Sequence, residues 1–366
     1  MIIPIKPWLD LANGAGHCSL SGSRGFSGEG LILSSCSEME EMMFPARGGS
    51  LNGITEFTNQ RMEFYHEPIL AHEVLAAMAP VAGKQIFDGT LGGGGHSELL
   101  LKHGAHVIGC DQDQDALEYA QARLAGFEDA FLPVRGNFKD IDLILDGLGI
   151  GGVDGILLDL GVSSRQLDNP ERGFSFREDG PLDMRMDTRS GLSAAELVNE
   201  WSEEELIRIF REYGEESRAA RVAREIVKSR LVKRIETTFE LSEVVGRAIP
   251  KTSAKNPATK VFQAIRIAVN GELSALETIL EKSVSALELG GVLVVITFHS
   301  LEDRIVKRFM HRRSSPFIDR PEWPEPRPNP EYSFHLPSRR SIAPDEGETR
   351  RNSRSRSARL RVAVKA

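Results

Sequence analysis

The feature that most constrains this chain is the segment Asp88-Gly89-Thr90-Leu91-Gly92-Gly93-Gly94-Gly95-His96. A short apolar run, Gln85-Ile86-Phe87, precedes it, and a helix-like stretch, Ser97-Glu98-Leu99-Leu100-Leu101, follows. In an α/β fold, a strand that ends on an acid, turns through glycines and enters a helix brings bare backbone against a nucleotide-like ligand. Glycine suits the turn because it tolerates positive φ and leaves no Cβ between backbone and ligand.

From Met62 an α/β rhythm follows. The apolar pattern predicts helices over 70–78, 115–124 and 141–148, and strands over 85–87, 106–110, 131–134 and 155–159. Near-continuous apolar strands alternating with helices imply a buried parallel sheet. The rhythm breaks over 167–287, which reads as loops and amphipathic helices. It resumes with the β-branched run 291–298, a helix over 301–312 and an alternating final strand at 358–364. The expected fold is therefore α/β and Rossmann-like, with residues 62–166 and 288–366 forming one core. A helical domain, 167–287, is inserted between the fourth and fifth strands, and a Pro/Arg-rich loop spans 314–352. Residues 1–61 are rich in Gly and Ser and lack periodicity, so they read as a disordered tail or as a start codon placed too early, with Met62 the natural start.

Three cysteines without metal spacing, and no apolar run long enough for a bilayer, point to a reducing, cytoplasmic setting and no membrane. No His/Cys cluster has metal-ligand spacing, so no catalytic metal is expected.

Open α/β sheets bind ligands at the carboxyl ends of their strands. Asp111 ends the second strand, about twenty residues after the glycine loop, where a carboxylate accepts both ribose hydroxyls. Loop and acid fit NAD and S-adenosylmethionine alike. Asp88 separates them: a carboxylate at the strand mouth repels a pyrophosphate but suits the cationic amino and sulfonium groups of S-adenosylmethionine. Phe138, after the third strand, is placed either to flank an adenine or to fill the core. The fourth strand ends Leu157-Leu158-Asp159-Leu160-Gly161-Val162-Ser163-Ser164. An acid followed by a tight turn suits methylation of a ring-conjugated amine. Acceptors at hydrogen-bond distance pull its nitrogen toward tetrahedral geometry, and one takes the proton. The Asp159 carboxylate and the Leu160 backbone carbonyl are the candidates.

The run 154–164 resembles the ribosomal RNA small subunit methyltransferase H, or MraW, family. So do Arg172-Gly173-Phe174-Ser175-Phe176, the run 180–187, the run 256–267 and Phe298-His299-Ser300-Leu301-Glu302-Asp303-Arg304. The resemblance covers roughly 65–364. It implies a seven-stranded methyltransferase sheet and S-adenosylmethionine-dependent methylation of cytosine N4 in the decoding region of 16S ribosomal RNA, with the small ribosomal subunit as partner. Carried over motif by motif, the cofactor contacts are Gly94, Gly95, His96, Asp111, Phe138, Asp159 and Gln166, with Asp88 added from its own chemistry. The Asp-Pro-Pro-Tyr signature of DNA amino-methyltransferases is absent, so the base-holding residues cannot be copied from those enzymes. Direct in-line transfer is expected, because Cys110, the only cysteine of the core, ends a buried strand and is a poor nucleophile candidate. A dehydrogenase or a non-catalytic assembly factor are the rivals, and the sequence does not separate a monomer from a homodimer.

The insertion segregates charge. From Ser217 to Arg266 twelve Lys or Arg face four Glu, in a chain of net charge −8. Arg218, Arg221, Arg224 and Lys228 recur at helical spacing opposite Ala219, Val222, Ala223 and Ile226. With Lys233, Arg234, Lys251, Lys255 and Lys260 they form a basic island without matching acids, expected to contact RNA phosphates. His299, at the end of the fifth strand, is either structural or a substrate contact. Gly180–Asp187 is either a turn with Met184 and Met186 in the core or a lip over the site.

Overall fold

The computed structural model describes residues 68–366 apart from 128, 190 and 250–255. The N-terminal tail, Lys251 and Lys255 therefore lie outside the described residues. Helix α1 (Ala71–Met78) leads into β1 (Gln85–Asp88), α2 (Gly95–Lys102), β2 (His106–Asp111), α3 (Gln114–Arg123), β3 (Phe131–Arg135), α4 (Ile141–Gly147), β4 (Val153–Asp159) and α5 (Ser164–Asp168). The insertion carries α6 (Ala194–Glu200), α7 (Glu203–Glu212), α8 (Ala219–Arg230), α9 (Thr238–Ala248) and α10 (Ala258–Asn270). The chain returns through α11 (Glu272–Ala286), β5 (Leu287–Thr297) and α12 (Ser300–Ser314). It closes with β6 (Phe317–Ile318), β7 (Arg327–Pro328), β8 (Phe334–His335), α13 (Glu346–Arg351) and β9 (Arg359–Lys365).

The main sheet has the order β3-β2-β1-β4-β5-β9-β8, seven strands as expected. Strands β1 to β5 are parallel, and β9 runs antiparallel between β5 and β8. Successive strand residues point to opposite faces. Ile86, Leu157, Val294 and Ile296 therefore pack on one layer with α1 and α2, and Phe87, Ile156, Leu158, Leu293 and Val295 on the other with α4, α11 and α12. The strand order reverses at β1, whose neighbours are β2 on one side and β4 on the other. That switch point opens a crevice at the carboxyl ends.

The insertion has its own core, including Leu197, Leu206, Phe210, Val222, Ile226, Val245 and Ile265. Ser193 with Glu196, Ser202 with Glu205 and Thr237 with Glu240 close capping boxes that start α6, α7 and α9. The sequence pattern runs the insertion to 287, whereas the apolar clusters divide before that point. Helix α11 sends Leu276, Ile279 and Leu280 into the sheet core, so the separate insertion core ends with α10. The stretch 314–352 is also more than a loop. It forms the β6–β7 pair, strand β8 and helix α13, and the Asn329 side-chain amide ties it together by donating to the carbonyls of Arg312 and Ser315, both at 2.8 Å. Proline-rich composition carries no period from which such short elements could be read. No helix among the described residues is long and apolar enough to cross a membrane.

Phe210 is completely buried at the centre of the insertion. Phe210→Ala is expected to destabilise the protein by about 3–5 kcal/mol, read by urea denaturation. A loss below about 1 kcal/mol would contradict the independent core.

Candidate active site

A cavity of about 430 Å³ opens where β1, β2 and β4 end. Gly89, Gly92, Gly93 and Gly95 line it from the loop, and Asp111, Phe138, Asp159 and Gln166 from the later strand ends. Arg266, Asn270 and Glu272 close it from α10 and α11.

Asp88 is not on the cavity wall. It is 1% exposed, and its carboxylate accepts from Ser97 Oγ at 2.7 Å and from the Thr90 N–H at 3.2 Å. Burial raises its pKa above the ordinary value, although Ser97, His96 and Thr90 oppose the shift. The lining of the cavity thus leaves out Asp88, whose carboxylate braces the loop from beneath. Gly94 is likewise absent from the lining: it adopts φ 73° as the N-cap of α2, and a Cβ there would lie 3.1 Å from Leu124 Cδ1.

Asp111 holds the Gly92 N–H on one oxygen at 2.8 Å and the Asp113 N–H on the other at 2.9 Å. Burial pushes its pKa up to about 6 against the pull of those two hydrogen bonds. Phe138 opens a short 3₁₀ turn capped by Asn137, whose amide donates to Gln112 Oε1 at 3.0 Å. Gln166 lines the cavity, but both its polar ends serve the fold. Oε1 accepts from the Ser163 N–H at 3.0 Å, and Nε2 donates to Asp113 Oδ2 at 2.8 Å.

Asp159 is placed differently. Its backbone N–H donates to Thr90 Oγ1 at 2.6 Å, fixing the end of β4 to the glycine loop. Its Oδ2 stands 3.6 Å from His96 Nε2, while Oδ1 is buried with no hydrogen-bond partner. His96, 6% exposed, also has no hydrogen-bond partner on either ring nitrogen. A buried polar atom without a partner costs about 1–3 kcal/mol, so Asp159 favours a ligand that brings a donor or positive charge, and the His96 ring one that offers polar partners. The Leu160–Ser163 turn lines the cavity beside them.

Residues 63–366 match the MraW methylase family. The chain belongs to the MraW methylase family. It is 50% identical over 307 residues to the ribosomal RNA small subunit methyltransferase H of Carboxydothermus hydrogenoformans, covering 83% of this chain and 99% of that one. It is 47% identical to the protein of the same name from Symbiobacterium thermophilum, over 83% of this chain and 98% of the relative. A solved methyltransferase from Streptococcus mutans, in complex with SAH, aligns over 81% of this chain and 96% of its own, at 12% identity and a TM-score of 0.38.

In this MraW methylase, His299 does not line the cavity. It caps α12 and lies 3.0 Å from Glu302 Oε1 through Nε2. Burial works against ionisation of Glu302, but His299 and the charge of Arg266 hold its pKa below the ordinary value. Glu272, His299 and Glu302 bring one donor atom each within 4.8 Å of one another. The Arg266 guanidinium already grips Glu272 through two hydrogen bonds, of 2.8 and 2.7 Å, and supplies positive charge there. Cys110 is buried, donates to the Gly136 carbonyl at 3.3 Å, and has its thiol pKa pushed well up by burial and Asp111.

Sequence reasoning missed Thr90, Arg172, Asn270 and the Arg266–Glu272 pair. Arg172 joins Asp113 at 2.8 Å to the carbonyls of Arg185 and Met186 at 3.1 and 3.3 Å. Asn270 accepts from the Met186 N–H and donates to the Met184 carbonyl, both at 2.8 Å. Met184 is fully buried in the insertion core, whereas Met186 both joins that core and lines the cavity, so 180–187 serves as turn and lip together. Arg172 and Arg266 stand inside the family motifs, which is the only signal the sequence carried for them.

The α8 pattern holds: Arg218, Arg221, Arg224 and Lys228 are exposed, and Val222, Ala223 and Ile226 are buried. The island is not free of acids, however. Arg224 lies 3.9 Å from Glu203, Arg234 3.3 Å from Glu200 and Arg247 3.2 Å from Glu225, and Lys233 pairs with Glu240. Lys260 donates to the Glu215 carbonyl at 2.7 Å. Three of these acids come from α6, α7 and α9, and spacing along the chain does not show that they meet the island. Among the described residues, Arg218, Arg221 and Lys228 form no ion pair.

The Asp111 pKa yields a test without any ligand. Its value rises from 3.8 to about 6 on folding. The folded chain thus holds a proton that the unfolded chain releases between those values. The stability this contributes is present below pH 4 and is lost as pH rises through 6. Asp111→Asn does not titrate. Its stability relative to the parent, read by urea denaturation, is expected to rise between about pH 4 and 6.5 and to level off above 7. A flat difference across that window would refute the shift.

Proposed function

We propose that this MraW methylase transfers a methyl group from S-adenosylmethionine to N4 of a cytosine in the decoding region of 16S ribosomal RNA, by direct in-line displacement. The observation that carries the reading is the unpartnered, buried Asp159 Oδ1, set at the start of an open turn against the glycine loop. The residues fit the cofactor. Asp111 suits the ribose hydroxyls and Phe138 an adenine face, while the backbone at Gly92, Gly93 and Gly95 lets the ligand approach closely. His96 and Asp159 offer unpartnered polar atoms at the end where positive charge falls. When bound, S-adenosylmethionine supplies an electrophilic methyl group.

The protein's own part is positioning and electrostatics. The Asp159 carboxylate and the Leu160 carbonyl accept the two N4 hydrogens and aim the nitrogen lone pair away from the ring. Asp159 takes the proton that N4 releases, and the hydrogen bond to Thr90 keeps its backbone in place meanwhile. The target base leaves any stack to reach this depth. Arg218, Arg221, Arg224, Lys228 and Lys260, with Lys255, contact phosphates of the small subunit. Arg218, Arg221 and Lys228, which form no ion pair among the described residues, carry most of that attraction, because exposed ion pairs screen their own charge.

The test is mass mapping of ribosomal RNA from a deletion strain, before and after treatment with the protein and S-adenosylmethionine. N4-methylcytidine at one decoding-region site is expected. Asp159→Asn is expected to lower kcat by about 10²–10³-fold, the effect of removing one aligned polar group from a transition state. Full activity in that variant would refute the role. Arg218→Ala, Arg221→Ala and Lys228→Ala combined are expected to flatten the salt dependence of subunit binding, by about 0.7–0.9 in log–log slope for each phosphate no longer neutralised. An unchanged slope would remove α8 from the interface.

A further inference from the structure

A base drawn out of its stack loses contact with its neighbours, and proteins that hold single-stranded bases replace it with aromatic faces. The acceptor turn of this chain, Asp159-Leu160-Gly161-Val162-Ser163, contains no aromatic residue. The adjacent strand supplies one. Phe298 directly follows β5, and its ring lines the cavity together with Leu160, Gly161 and Val162. Gly161 adopts φ 102°, and a Cβ at that position would lie 3.4 Å from Phe298 Cδ2. Glycine thus sets no side chain against that edge of the ring.

The ring is also held in place. Phe298 packs against the core layer that contains Ile296 and Leu360. The backbone N–H groups of Phe298 and His299 both donate to Glu302 Oε2, at 2.8 and 3.2 Å, and Glu302 is 2% exposed. A polar wall shares the cavity: Arg266, clamped by Glu272, is a fixed donor suited to the O2 and N3 acceptors of a pyrimidine.

We propose that Phe298 is the platform on which the target base stacks while its amine meets Asp159 and Leu160. This rests on the reading of the substrate as a base amine, and it restricts the acceptor to a planar heterocycle. A flexible amine gains little from a ring face.

Phe298→Leu, Phe298→Tyr and Phe298→Trp are compared with the parent on small subunits from a strain lacking the modification. S-adenosylmethionine affinity by calorimetry and the melting temperature are measured on the same samples. In the Leu variant, cofactor affinity and melting stay close to the parent while kcat/KM for the subunit falls by about ten- to a hundredfold. The Tyr and Trp variants, which keep a ring, stay within a few-fold of the parent. A Leu variant with the parent's kcat/KM overturns the platform, and so does an equal loss in all three. The methylated nucleoside made by the parent is identified by mass. A product other than N4-methylcytidine refutes the proposed acceptor atom but leaves the ring comparison valid for whichever base is modified. Quenching of the Phe298→Trp fluorescence by cytidine, beyond that of the parent, reads the platform without turnover. Its absence overturns the proposal.

Discussion

The hydrogen bond from the Asp159 N–H to Thr90 Oγ1 joins the two halves of the site. The glycine loop belongs to β1 and the acceptor turn to β4, so their relative position is only as good as the pairing of those strands. That pairing sets Asp88 opposite Leu157, and the Gly89 N–H continues the ladder to the Leu157 carbonyl at 2.9 Å. Thr90 then adds a side-chain bond where the backbones diverge. Three adjacent strands end on three aspartates with different duties. Asp88 is buried as a brace, Asp111 shares itself between loop and cavity, and Asp159 keeps one oxygen unpaired. Burial, rather than residue type, divides the work among them.

The insertion builds an apolar core of its own and is joined to the sheet by apolar and polar contacts. Its core shares no member with the two layers that flank the sheet. Polar ties between the two include Arg172 to Asp113, Glu215 to Ser300 and Arg304, and Arg266 to Glu272. Removing one partner from the Arg172 or Arg266 tie would leave charge poorly compensated, which costs more than an exposed pair is worth.

Much of this architecture was legible in the chain. The strands at 85–88, 106–111 and 153–159 announced themselves because they are apolar on both faces, and the loop did so through its glycines. Of the site residues, Gly95, His96, Asp111, Phe138, Asp159, Leu160 and Gln166 reach the cavity wall. Asp88 and Gly94 fall outside the cavity lining, because sequence shows that a residue sits at a strand mouth or in a loop, and not which way it faces. The acids that meet the basic island, and the Arg266–Glu272 pair, depend on how helices cross. Helical periodicity fixes one face of one helix and says nothing of its neighbours. The β6–β8 segment hid because two-residue strands are too short to show alternation.

The position of β9 also bears on how the molecule is made. Strand β5 pairs with β4 on one side and with β9 on the other, and the β9 residues are 359–365. Synthesis runs from the N-terminus, so β5 emerges more than sixty residues before the strand that covers it. Until then its run Val292–Ile296 is an open apolar edge, the kind of surface that pairs with stray chains. Arrival of β9 both completes the sheet and ends that exposure. A slow step in the intervening Pro-rich stretch would lengthen the interval in which the nascent chain is open to aggregation.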